Sequence, residues 1–233
     1  MKTIISKILL IISVALIIVS CAKDEEADDS SSSSESAGTG TTASGTVEGN
    51  SDLSGTFSMS VDGATPSGGC IGNSAAISAF NFPSETKGFK NQFIITSPTT
   101  FTKSLSTYSD TSCSTITSFF NTMSKSATIG AEVTNLTAGS DPAKPTSADK
   151  ISYIDEKYAL KANTDAMVEY YTNNFSITLT AGTELAVIES SPSTEYNIIA
   201  TGTMTGSSKT WLFFDGGINS DNYTDWSSSV SVY

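Results

Sequence analysis

From about residue 53 to the C-terminus the apolar residues return at every second position, and that period limits what the chain can build. "GTFSMSV" puts Phe57, Met59 and Val61 on one face, and "NQFIITSPTTFTKSLSTY" does the same with Phe93 and Ile95, then Phe101, Lys103, Leu105 and Thr107. A repeat of two sends alternate side chains to opposite faces of an extended strand, and the Thr, Phe, Tyr and Ile enrichment favours the same geometry. "SATIGAEV", "KISYID", "FSITLT", "TELAVIES", "EYNIIATGTM" and "KTWLFFDG" continue the pattern. Ser97-Pro98, Gly139-Ser140-Asp141-Pro142, Ala181-Gly182, Ser191-Pro192 and Gly206-Ser207-Ser208 separate these segments with turn chemistry. The reading predicts one mainly β domain over 53–233, an antiparallel up-and-down barrel or a sandwich. Roughly 180 residues suffice for a core of its own.

One stretch departs from the period. "NTDAMVEYYTNNF" spaces Met167, Tyr170 and Tyr171 for a helix face, with Asn163 or Thr164 as N-cap and Asp165 in the first turn. This predicts one short helix that packs against or plugs an end of the sheet; another strand is the alternative.

The N-terminus reads as an address. Lys2 and Lys7 precede an apolar run from Ile8 to Val19 that Ser13 alone interrupts. A dozen apolar residues fall short of the roughly 20 a spanning helix needs, whereas the positive start and short core suit a secretory signal. The run ends in Ile18-Val19-Ser20-Cys21, which resembles the bacterial lipobox, with Ile18 where leucine is commonest. That resemblance implies cleavage after residue 20 and diacylglycerol on the Cys21 sulfur, and acyl chains at about 0.8 kcal/mol per buried methylene would anchor the chain firmly. Ala22 at the following position resembles the outer-membrane choice of enterobacterial lipoproteins. Lys23-Asp24-Glu25-Glu26 resembles the surface-export signal of Bacteroidetes lipoproteins, though an acidic solvated tether reads equally well. Residues 21–52, with an acidic start, then Ser30 to Ser34 and almost no large apolar side chain, are predicted to form a disordered tether.

Composition removes whole classes of chemistry. The formal charge is −12, and loss of residues 1–20 takes away Lys2 and Lys7 and no acid, which makes it −14. Such a chain repels nucleic acid, whose binding rests on Lys and Arg. Histidine and arginine are absent, so Ser-His and Cys-His nucleophiles and the commonest zinc ligand are unavailable. Ser-x-x-Lys occurs at Ser84–Lys87 and Ser147–Lys150 in polar contexts without a supporting motif. No cofactor and no catalytic activity are expected.

A second resemblance spans most of the domain. The strand "TYSDTSCSTITSFF", the aspartate-bearing "KISYIDEKY", the helix and the late "EYNIIATGTMTG" and "KTWLFFDG" segments resemble uncharacterised small secreted β proteins of Gram-negative bacteria described as lipocalin-like. Tyr108, Asp110, Cys113, Asp155 and Phe214-Asp215-Gly216 carry the likeness; a further cysteine and arginine frequent in that group are missing. The likeness implies a barrel but no settled activity.

With Cys21 committed to lipid, Cys70 and Cys113 form an even pair in an oxidising compartment, and a disulfide is predicted between a turn-rich loop and a strand terminus near the surface. Asp215, Asn219, Asp221 and Asp225 are oxygen donors of the kind calcium accepts, in a segment equally suited to hairpin turns. Tyr170, Tyr171, Trp211 and Phe213 would line a small apolar or amphipathic ligand in an open barrel, or form the core of a filled one. Trp211 and Phe213 alternate with Leu212 and Phe214, so this strand should be buried on both faces or covered by the helix. Two readings result: a structural or adhesive envelope lipoprotein with a filled domain, or a membrane-anchored lipocalin-like carrier.

Overall fold

A computed structural model describes residues 41–59, 69–72, 74–138, 144–203, 209–218, 225–226 and 230–233, with the side chains of 216–218 excepted. In chain order the elements are β1 (Thr56–Ser58), α1 (Ser74–Ala79), β2 (Gly88–Ser97), β3 (Thr100–Tyr108), β4 (Ile116–Thr134), β5 (Ser147–Ala162), α2 (Asp165–Phe175), β6 (Glu184–Ile188), β7 (Thr194–Thr203), β8 (Thr210–Ile218) and β9 (Val230–Val232). All nine strands share one antiparallel sheet in the order β1-β2-β3-β4-β5-β7-β8-β9. β6 pairs with the C-terminal half of β5, and β7 with its N-terminal half. β6 and β7 therefore run along one edge of β5 as a single strand broken at residues 189–193, where the Ser191-Pro192 turn signal lies.

Long strands and their irregularities curl this sheet. β4 has 19 residues and β5 has 16, and their ladder shifts register between Met123 and Ser124, Lys125 and Thr128, and Ile129 and Glu132. Ser126 takes a left-handed φ of 55° at the second of these shifts. Bulges sharpen twist and bend a strand, which brings distant strands face to face. Phe93 of β2 lies 4.4 Å from Phe101 of β3, 5.3 Å from Phe214 of β8 and 5.8 Å from Tyr233, ring centre to ring centre. Phe101 also meets Tyr153 of β5 at 5.0 Å. No ladder joins β1 to β9 among the described residues. The sheet is thus barrel-like yet not closed, with Lys209 Nζ donating to the Ser58 carbonyl at 3.0 Å from the β8 side to β1.

The second half of the inner face is filled by helices. Met167 and Tyr171 of α2 pack with Phe120, Tyr158, Leu160 and Ile177, while α1 and the following Phe80 and Phe82 cover Phe89 and Leu105. Thr164 is the α2 N-cap, as the spacing predicts, and its hydroxyl accepts from Met167 N at 3.3 Å. The same hydroxyl donates to Glu85. Thr164→Ala should lower stability by about 1 kcal/mol, the usual cost of a lost cap. An unchanged thermal midpoint would show that α2 draws nothing from it.

Three expectations need correction. The chain contains a second helix, α1, whose six residues are too few to leave a periodic signature. "FSITLT" is no strand: Phe175 ends α2, Ser176 turns through φ 56° and Ile177 is buried under the helix. The tether boundary at 52 lies too late, because Val47 and Leu53 are 2% and 0% exposed in the main core. Ser44 N and Glu48 N donate to Ile95 O and Pro98 O, so this segment docks at the β2–β3 turn. β8 is buried on both faces, as its double alternation predicts, with Leu136 and Trp226 packed against Trp211 and Phe213.

Candidate functional site

The inner face changes from apolar to polar halfway along. Register places Phe101, Ser124 and Asp155 in one cross-strand row and Lys103, Thr122 and Tyr158 in the next. Lys103 Nζ donates to Asp155 Oδ2 at 3.1 Å, and Ser124 Oγ donates to Oδ1 at 2.6 Å. Little of either charged side chain reaches water, 12% of Lys103 and 9% of Asp155. The ammonium also stands 5.0 Å from the Tyr153 ring centre and 6.0 Å from that of Phe214, an arrangement that favours a cation over the ring faces. Tyr153's hydroxyl in turn accepts from Asn197 Nδ2.

One hydroxyl of this layer is unsatisfied. Thr122 Oγ1 is buried without a hydrogen-bond partner, and Tyr158, opposite it in the ladder, is 5% exposed. Burial pushes the Tyr158 phenol up to about 12, the negative charge of Asp155 adds to the shift, and Lys103 opposes it. Beneath Tyr158 the ring of Phe120 lies parallel at 6.4 Å, where the α2 cluster begins.

The chemistry available here is limited. A carboxylate is too weak a base to take a serine proton at neutral pH, and the chain has no histidine to do so. Ser124 is accordingly a hydrogen-bond donor that, with Lys103, ties β3 and β4 to Asp155 on β5. The Ser-x-x-Lys pairs fare no better. Lys87 Nζ donates to the carbonyl of Ser84, not its hydroxyl, and Ser147 and Lys150 lie in β5, not a loop, on opposite faces.

The ligand-lining residues do not form one site. Tyr170 and Tyr171 belong to the α2 cluster, with rings 5.3 Å apart, whereas Trp211 and Phe213 lie in the cluster around Trp226. Tyr171 is fully buried, its phenol is raised by burial, and it bonds Ser118 Oγ at 3.2 Å. Tyr171, Trp211 and Phe213 are core, and Tyr170 is half-buried against it.

Of the calcium candidates, Asp215 and Asp225 lie among the described residues. Asp225 Oδ1 accepts from Thr137 N and Trp226 N, and Oδ2 from the Thr137 hydroxyl. These bonds, the Thr137 hydroxyl first, hold its carboxyl below the usual range. Asp215 is buried in β8 opposite Ile198 and Val230. Among the described residues no three Cys, Asp or Glu side chains gather as a metal site; Asn219 and Asp221 lie outside them, as do Cys21 and Val61.

The predicted disulfide is present. Cys70 and Cys113 are bonded with Cα atoms 5.7 Å apart. Cys70 lies beside Ile71, which bridges to Phe89, and Cys113 sits in the β3–β4 turn at φ 52°. The bond thus links a loop to a strand terminus and packs with Tyr108 and Ile116, away from the aromatic core. It is more enclosed than its polar flanks imply, the cysteines being 6% and 8% exposed. Asp110 shapes the turn: its carboxylate accepts from Ser112 N and Oγ, Ser114 N and Thr115 N. These bonds, led by the Ser112 hydroxyl, hold its carboxyl far below the usual range. Tyr108, Asp110 and Cys113 therefore form a turn clamp around a disulfide.

Fold and site together define a disulfide-stapled, barrel-like β domain with a side-chain-filled inner face and one polar layer. In comparison with known proteins, no family model and no curated sequence matches the chain.

Proposed function

We propose that this chain is a lipoprotein of the outer membrane, in the envelope or at the cell surface, anchored through Cys21, whose β domain is structural or adhesive and not catalytic. The observation that carries the reading of the domain is the ring-to-ring packing of Phe93, Phe101, Tyr153, Phe214 and Tyr233 across the inner face, where a carrier would hold its ligand. The lipobox-like Ile18-Val19-Ser20-Cys21 supports the anchor, and the Lys23–Glu26 run supports surface exposure. The partners of such a module are the membrane, through the lipid, and a surface ligand or neighbouring protein.

Cys21→Ala is the test of the anchor: incorporation of labelled fatty acid should disappear and the protein should leave the membrane fraction. Normal cleavage with unchanged membrane retention would refute it. The carrier reading keeps one supporting observation, the unsatisfied Thr122 hydroxyl beside the Lys103–Asp155 pair. Native mass spectrometry of protein purified from the envelope separates the two, since a retained small molecule would favour the carrier.

A further inference from the structure

The outer edge of β6 combines features that the rest of the sheet lacks. Its five residues alternate from exposed to half-buried, and at 66% exposure Ile188 is the one exposed large hydrophobic residue among those described. One edge pairs with β5, and no described ladder occupies the other. β8 does not reach it, because its pairing with β7 covers Tyr196–Thr203 alone. An unpaired strand edge is a template for another strand.

We propose that β6 is a self-association edge, through which two copies of the chain pair antiparallel over Glu184–Ile188 about a two-fold axis at Ala186. The strand is self-complementary in that register. On the inner face Leu185 would meet the partner's Val187, and both positions already pack against the α2 cluster. On the outer face Ala186 would meet the partner's Ala186, and Ile188 would meet the partner's Glu184. β5 places Lys161 opposite Glu184, Ala159 opposite Ala186 and Lys157 opposite Ile188. The rows across the joint would then read Lys-Glu-Ile-Lys, Ala-Ala-Ala-Ala and Lys-Ile-Glu-Lys, so no like charges are directly opposed between the two copies, and a directly opposed like pair is what destabilises a ladder. A basic foreign strand is the rival occupant; the palindromic pairing, which directly opposes no like charges, favours a second copy.

Five paired residues bury less than the roughly 1,000 Å² of a stable interface, so the association is transient and a covalent trap reads it best. In cells expressing the full chain, Ala186→Cys should give a dimer band on a non-reducing gel that the unsubstituted chain does not give. Two such cysteines would fall within the 4.4–6.8 Å Cα separation a disulfide needs, while Glu184→Cys alone should give at least about tenfold less dimer. Mixing Glu184→Cys and Ile188→Cys chains should restore the band. Adding Ile188→Glu to Ala186→Cys places a carboxylate opposite the partner's Glu184 and should remove it. The net charge of −12 opposes approach, so the unsubstituted chain should self-associate more strongly as salt rises from about 20 to 500 mM. Equal cross-linking at 184 and 186 overturns the proposal, as does a folded Ala186→Cys chain that stays monomeric on the gel. So does a sedimentation mass of one chain at every salt concentration.

Discussion

Asp155→Ala is expected to destabilise the fold by about 3–5 kcal/mol, the loss seen when one member of a buried ion pair is removed and the other stays charged and unpaired. Lys103 would remain inside the curled sheet with an aromatic ring for company, and Ser124 would lose its acceptor. Lys103→Met combined with Asp155→Leu should recover most of the loss, since well-packed apolar replacements of a buried pair are often neutral. Lys125 and Glu156 provide the internal control. Their contact is shorter, 2.6 Å, but the side chains are 42% and 44% exposed, so breaking it should cost less than about 1 kcal/mol. Denaturant titration of Asp155→Ala, the Lys103→Met/Asp155→Leu pair and Glu156→Ala decides the matter. If Asp155→Ala costs no more than Glu156→Ala, water reaches the inner pair and the polar layer is no barrier to exchange with solvent.

Removing the disulfide is expected to cost about as much, by a different route. Cys70 and Cys113 are 43 residues apart in sequence, and cross-linking a loop of that length removes roughly 4 kcal/mol of unfolded-chain entropy, less where the unfolded chain keeps structure. Paired Cys70→Ser and Cys113→Ser substitutions should lower the denaturation midpoint by that order. Gly88 is the companion position. A Cβ there would lie 2.8 Å from Asp110 O, 2.9 Å from Cys113 Sγ and 3.1 Å from Cys70 Sγ, so alanine would force the staple and the turn apart. Gly88→Ala should therefore cost less in the disulfide-free background than in the native one. Strict additivity would mean that the strain falls on Asp110 alone.

The sequence disclosed what local pattern governs. Alternation marked β2, β3, β7 and β8, Thr164 and Asp165 announced α2, and the even cysteine pair announced the bond. It also placed Lys103 in line with Phe101 and Leu105, on the face that proves to be inward. Its partner was illegible, because Asp155 is 52 residues away and lies next to Glu156, the residue at which the β4–β5 register slips. The grouping of aromatics failed for the same reason: period assigns a residue to a face, but only the curl of β4 and β5 decides that Tyr171 and Trp211 belong to different clusters. Val47 was hidden by composition, one apolar residue in a polar run that packs at full depth.

The position of that packed segment bears on how the domain carries load. A pull on the N-terminal end enters at Thr41–Leu53 and passes to β1, which is paired to β2 alone over three residues and would peel away rung by rung at low force. The unravelling halts at Cys70. From there tension crosses the sulfur bridge to Cys113 and enters β4, so β2 and β3, which lie between the two cysteines in sequence, drop out of the line of force. The domain can thus yield a short length of chain under tension while the bridge passes the remaining load directly to β4, the longest strand of the sheet.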